Sequence, residues 1–314
     1  MLRLIAIGLL AGLFFSSTFI LNRLMSLEGG HWVWSASLRY AYMILFLLVW
    51  QLLSQGVGAT ARTFKLFFKH WMFWVMAGSI GFGGFYALIC FSADHAPGWV
   101  VATTWQLTII ASLVVLLCFG RSFPKRTWVF SLIVLAGVLM VNLSQVEMAQ
   151  IKKSMLAGLP VLIAAFCYPV GNQMVWEAQK SRKYLPHINS PILENPFNKV
   201  LLLSLGSVPF WMILVAIQAP PFPSRGQLVN TSLVALFSGV FATSLFLYAR
   251  NHAKKASELA AVDATQSSEV IFALLGEIMI LGAPLPSGWA LAGIVIVFAG
   301  LALFIRFQEV GAGA

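Results

Sequence analysis

Charge is what this sequence has least of. Only 10% of its 314 residues are Asp, Glu, Lys or Arg, against about 25% in an ordinary soluble domain. A surface facing water needs that charge. With 60% of residues hydrophobic, lipid has to replace water over most of the exterior. Cysteine is scarce as well. Cys90, Cys118 and Cys167 sit in apolar stretches with no CxxC spacing, so disulfide or metal chemistry has no support. The five histidines are scattered and make no ligand cluster. No GxGxxG, Walker or HExxH pattern occurs, which leaves nucleotide and zinc chemistry without a footing. No cofactor is expected.

What is present is a series of long apolar runs. Ten occur, at 4–24, 32–54, 71–92, 97–118, 127–145, 155–176, 197–218, 229–249, 258–281 and 288–306. Each is close to the roughly 20 residues that carry a helix across the hydrocarbon. Membrane β-barrels alternate apolar and polar positions instead, and runs such as Met43 to Trp50 or Ile294 to Ile305 do not. Helices satisfy their own backbone groups in lipid, so the expected fold is an all-α polytopic membrane protein in the cell (inner) membrane. The first run follows Arg3, as a signal peptide would, but it is long and lacks a cleavage pattern before Asn22. It is read as a retained helix. The third and fourth runs are separated only by SADHAPG, Ser92 to Gly98. A short turn there keeps the count at ten, and a re-entrant element is the alternative.

The net charge of +10 is concentrated between the runs, which argues for orientation in a membrane rather than for nucleic acid binding. With the N-terminus in the cytoplasm, fifteen of the twenty Lys and Arg residues fall on the cytoplasmic side. Four fall outside (Arg23, Lys152, Lys153 and Arg225), and Arg39 lies within a helix. Both termini are therefore expected in the cytoplasm. The longest connection, Glu177 to Pro196, reads as a flexible tether in preference to an ordered lateral segment.

The segments Phe85 to Val141 and Phe246 to Phe304 resemble each other at an offset near 162. Tyr86-Ala87, Thr103-Thr104 and Val134 to Gly137 answer to Tyr248-Ala249, Thr265-Gln266 and Val297 to Gly300. Two halves of five helices follow, residues 1–150 and 151–314, in one integrated transmembrane domain. Because five is odd, the halves are inverted with respect to each other. Inverted repeats recur in alternating-access transporters, with the site between the halves.

Several stretches resemble the drug/metabolite transporter superfamily in its ten-helix, EamA-like form. They are GLLAGLFFSSTFILNRLM from Gly8 with its Asn22-Arg23, the Arg39-Tyr40 pair of the second helix, and LLGEIMILGAPLPSGWALAGIVIVFAGLAL from Leu274. APGWVVATTWQLT from Ala96 is similar to the multidrug resistance efflux subgroup. The resemblance implies export of drugs, amino acids or other metabolites. Small four-helix members use a first-helix glutamate for proton coupling, and no acid occurs from Leu4 to Ser26.

A charge inside hydrocarbon is costly unless paired or hydrated, so the intramembrane ionisable residues are the first candidates. Glu269, midway along the ninth run, is a candidate for proton exchange or for binding a cation. A structural glutamate bonded to Ser or Thr is the alternative. Asp263, six residues earlier, is a vestibule candidate. Arg39 and Glu277 lie at similar depths from the outer ends of their helices and are a candidate gate or structural pair. Gln106 and Gln266 hold similar places in the two halves, with Thr104 and Ser268 beside them. These groups can bond a substrate or bind helices together. Trp105 and Tyr168 are candidates for an aromatic pocket. The expected protein is a secondary exporter of small organic solutes, monomeric or homodimeric. Its partners are the solute, membrane lipid and a coupling proton or other ion. A metabolite permease, an intramembrane enzyme and a channel are the other readings. No nucleophile and base cluster is visible to support the enzyme.

Overall fold

The computed structural model describes residues 1–120, 125–145, 151–180, 185–253 and 256–307. Arg121, Arg182, Lys183, Lys254, Lys255, the boundary drawn at residue 150 and the C-terminal residues 308–314 lie outside the described residues. Nine described helices are long and apolar enough to cross a membrane, and a tenth apolar helix is slightly shorter. They are α1 (Leu2–Leu27), α2 (Trp32–Lys69), α3 (Trp71–Ala93), α4 (Gly98–Cys118), α5 (Thr127–Leu143), α6 (Met155–Gln179), α7 (Pro196–Gln218), α8 (Arg225–Arg250), α9 (Ala261–Leu281) and α10 (Gly288–Arg306). No strand occurs among the described residues. The chain is thus a ten-helix, multi-pass membrane protein. The disputed joint between α3 and α4 is a turn, with Pro97 extended just before the first residue of α4.

Two connections are more ordered than their polarity implies. Helix α2 does not stop near residue 54. It bends at Gly56, whose φ of 80° and ψ of 170° belong to a region almost confined to glycine. Along a straight helix Gln51 and Thr63 would stand about 18 Å apart, yet Gln51 Nε2 donates to Thr63 Oγ1 at 2.8 Å. The chain therefore folds back on itself beyond the glycine. Gln51 also donates to Asn198 Oδ1 at 2.9 Å, which ties the bend to the start of α7. The tether expected between α6 and α7 is, over its described residues 185–195, an ordered lateral segment. Ile188 and Leu193 are buried, and the Ile188 N–H donates to the Ala178 carbonyl at 2.9 Å. Those two apolar side chains, rather than the surrounding polar ones, decide how it packs.

The packing has an exchange symmetry. Helix α1 lies against α8 and α9, and α6 lies against α3 and α4. Helix α2 meets α7, α4 meets α9, and α5 meets α10. Close approach is made possible by missing side chains. A Cβ on Gly293 would stand 2.9 Å from the Gly137 carbonyl oxygen, and one on Gly81 would stand 2.8 Å from the Gly171 Cα. Small residues of this kind let membrane helices touch along their backbones.

The irregularities follow the same symmetry. Helix α3 contains a π-helical stretch, Ser79–Gly84, and α8 contains another, Ala235–Ala242. Helix α4 breaks at Gln106 and Leu107, and α9 breaks at Gln266 and Ser267. Both breaks tighten to three-residue bonds. Gln106 N donates to Thr103 O at 3.1 Å, and Gln266 N donates to Asp263 O at 3.2 Å. Such departures inside long helices often mark hinges or functional positions.

Candidate functional site

Both π stretches and the break of α9 line one cavity, and the break of α4 adjoins it just after Trp105. Its volume is about 440 Å³, within the range of small-molecule sites. The π stretches contribute Phe82 from α3 and Ser238 with Gly239 from α8. The breaks contribute Trp105 from α4, and Gln266 and Glu269 from α9. The cavity reaches the end of the bundle where α7 starts, with Pro196 and Lys199, and where α8 finishes, with Arg250. At its other end are Arg39 and Ile89. Beyond them the bundle is closed by a layer that includes Trp32 against Phe91 at 5.4 Å and Gln227, which donates to the His31 carbonyl at 2.9 Å.

Glu269 is 4% exposed. It sits in the first turn after the break in α9, and its Oε1 accepts from Gln106 Nε2 at 2.9 Å. The partner is therefore an amide from the facing break, not a Ser or Thr hydroxyl. Gln106 also donates to its own helix at Ala102 O, 3.3 Å. From the break of α4 its side chain thus bonds both its own helix and α9. Gln266, at the matching position, is exposed and faces the cavity. Trp105 and Tyr168 both line the cavity. With Phe85 they form a wall, the ring centroids being 4.8 Å apart for Phe85 and Trp105, 5.1 Å for Phe85 and Tyr168, and 5.7 Å for Trp105 and Tyr168.

Other candidates are placed elsewhere. Thr104 is buried, donating to Val100 O and accepting from Asn142 Nδ2, each at 2.8 Å. Ser268 donates to Thr265 O at 2.6 Å and packs against Gly12 of α1. Both hold helices together and are absent from the cavity wall. Asp263 forms an ion pair with Arg250 Nε at 3.1 Å, and both side chains are about two-fifths exposed.

Arg39 and Glu277 do not form the expected pair. Glu277, 1% exposed, accepts from the backbone N–H of Gly98 at 2.6 Å and of Trp99 at 3.4 Å. Its carboxylate satisfies amides that have no intrahelical partner at the start of α4, where the helix dipole also favours negative charge. Similar depth on two helices did not put the side chains on facing sides. Arg39 instead turns toward the cavity. Its guanidinium lies 3.9 Å from the centroid of Tyr86 and donates to Ser238 Oγ at 3.1 Å. Tyr86 is held from behind by Asn22 Nδ2 at 3.0 Å.

Lys199, Arg250 and Ser238 were not singled out by sequence. Lys199 and Arg250 look like ordinary charges at helix ends, and Ser238 looks like a small helix-packing residue. Only the folding of α7 and α8 brings them to the wall of the cavity. Among the described residues, no group of three or more His, Cys, Asp or Glu side chains is placed to hold a metal ion.

Comparison with known proteins fits this architecture. The chain is 37% identical over 318 residues to "Uncharacterized protein YjlA" of Bacillus subtilis (strain 168), covering 96% of this chain and 94% of that protein. It is 33% identical over 282 residues to an "Uncharacterized 42.1 kDa protein in intracellular alkaline protease 3'region" of Shouchella clausii, covering 85% and 70%. A solved chain described as "Crystal structure of protein" superposes with a TM-score of 0.59 at 15% identity, over 96% of this chain and 97% of that one. That last likeness concerns the fold alone. Residues 2–310 match the family model described as "EmrE: Putative multidrug resistance efflux transporter", and the chain belongs to that family of multi-pass membrane transporters.

Proposed function

We propose that this protein is a secondary transporter that exports small organic solutes by alternating access. The observation that carries the reading is that three of the four matched helix irregularities line one cavity and the fourth adjoins it beside Trp105. A cavity bordered by regular helices could be a fixed pocket. One bordered by matched π stretches and matched breaks has hinge elements on both sides. The paired packing of α1 with α8 and α9, and of α6 with α3 and α4, supports two inverted halves, 1–150 and 151–314. Rocking of one half against the other would close the open end and open the closed one.

In this reading both termini are cytoplasmic and the cavity opens to the cytoplasm, as export requires for loading. Absence of an ATP-binding motif from the sequence leaves an ion gradient or exchange as the energy source. Glu269 is the coupling residue. Among the described residues it is the one acid in the cavity wall, and its partner is a neutral amide that leaves it free to gain or lose a proton.

The test is flux in proteoliposomes with pH gradient and membrane potential set independently. Solute accumulation against its own gradient, driven by an imposed ion gradient, is the expected result. Single-channel currents, or solute movement that only follows its own gradient under every imposed ion gradient, would reject coupled transport. Glu269→Gln should uncouple flux from the proton gradient. Unchanged rate and unchanged pH dependence in that variant would remove Glu269 from the mechanism.

A further inference from the structure

The cavity is strongly asymmetric in charge. Among the described residues, three cations line it, Arg39, Lys199 and Arg250, against the single carboxylate of Glu269. Arg250 is already paired with Asp263, and Lys199 stands at the wide end. Arg39 is different. It is 8% exposed, it has no carboxylate partner among the described residues, and its buried Nε has no hydrogen-bond partner. Among the described residues its polar contacts are neutral hydroxyls, Ser238 at 3.1 Å and Tyr86, over whose ring the guanidinium lies. An arginine in hydrocarbon normally finds an anion or snorkels to the headgroups. This one is buried inside the bundle with no such anion among the described residues.

We propose that Arg39 is the recognition residue for an anionic group on the substrate, so that the solute is an organic anion with an aromatic or apolar ring. The inference rests on the transporter reading above and adds the substrate class to it. A carboxylate or a similar oxyanion fits the planar guanidinium fork, which presents several donors in one plane. The ring of the solute has a ready partner in Phe85, Trp105 and Tyr168. These rings line the same cavity as Arg39 and Glu269. Lys199, toward the other end of the cavity, raises the local concentration of anions before they reach Arg39. An organic cation, by contrast, would share the cavity with both Lys199 and Arg39.

The experiment compares two probes that share a ring and differ in charge. Indole-3-propionate and tryptamine are titrated calorimetrically into the full chain in lipid nanodiscs at neutral pH. Saturable binding of indole-3-propionate, tighter than that of tryptamine, is expected. Arg39→Gln should weaken the anion by roughly 10- to 100-fold, the worth of hydrogen bonds to a charged group. Arg39→Lys should recover part of the loss. The wild-type comparison needs no variant, so it stands even if Arg39→Gln does not fold. Tighter binding of tryptamine, no binding of the anion, or wild-type anion affinity in a folded Arg39→Gln protein would each overturn the inference. Coupled flux of a cation in vesicles would overturn the substrate class and leave the transporter reading intact. Anion binding without coupled flux would support the site and reject the transporter reading.

Discussion

Glu269 and Gln106 are 163 positions apart in sequence and 2.9 Å apart in space. Gln106 lies in the break of α4, and Glu269 lies in the first turn after the break of α9. The pair links α4 to α9 beside the cavity, and in the transport reading proposed above it is the point at which protonation and helix rearrangement would be coupled.

The first prediction concerns that bond. Gln106→Leu leaves a buried Glu269 oxygen without a donor, at a cost of about 1–3 kcal/mol. The thermal midpoint in detergent should fall, and flux should fall with it. Contacting partners are not additive, so Gln106→Leu combined with Glu269→Gln should cost less than the sum of the single changes. Additive losses would show that the two residues act independently.

The ten crossings could be read from the sequence because each apolar run is a local property, and so could the Gln106 and Gln266 correspondence. The turn at Pro97 was legible for the same reason. The bend at Gly56 was not, since neither Gly56 nor the nearby Gly58 carries any sign in the sequence of its backbone angles. The Arg39 and Glu277 expectation failed because depth along a helix says nothing about azimuth. Thr104 and Ser268 illustrate a different limit. A small hydroxyl residue looks the same in a sequence whether it faces a solute or a neighbouring helix, and here both face helices.

The second prediction separates Glu277 from transport. Glu277→Gln keeps an acceptor for the Gly98 and Trp99 N–H groups and should leave stability nearly unchanged. Glu277→Leu removes both acceptors and should cost about 1–3 kcal/mol. In each case flux per folded molecule should equal that of the wild type, whereas Arg39→Gln should lower it. A specific loss of flux in well-folded Glu277→Gln would place that carboxylate in the transport cycle.

The third prediction tests the α2 bend. Gly56→Ala forces a side chain into a backbone region that only glycine occupies readily, at about 1–3 kcal/mol. The thermal midpoint should drop. Gly58→Ala should not lower it, because Gly58 has no positive φ and a Cβ there would meet nothing closer than 3.6 Å. Equal effects at the two positions would mean that the bend is not maintained by Gly56.

The fourth prediction is a pH effect at the turn between α3 and α4. Burial is the main influence on the Asp94 carboxyl and pushes it above its ordinary 3.8, while a hydrogen bond from Ser26 and the nearby charges of His95, His31 and Arg23 pull the other way. The folded protein therefore holds the Asp94 proton more tightly than the unfolded chain does. The linked stability is fully present below pH 3.8 and is lost as pH rises through the folded value. Asn at this position cannot ionise and can still accept from Ser26. Asp94→Asn should thus raise the thermal midpoint at pH 7 to 8, with the gain shrinking as pH falls toward 4. Thermal unfolding followed across that range measures it directly. A variant that is less stable at neutral pH, or a difference that does not change with pH, would show that the ionised carboxylate is favoured by the fold.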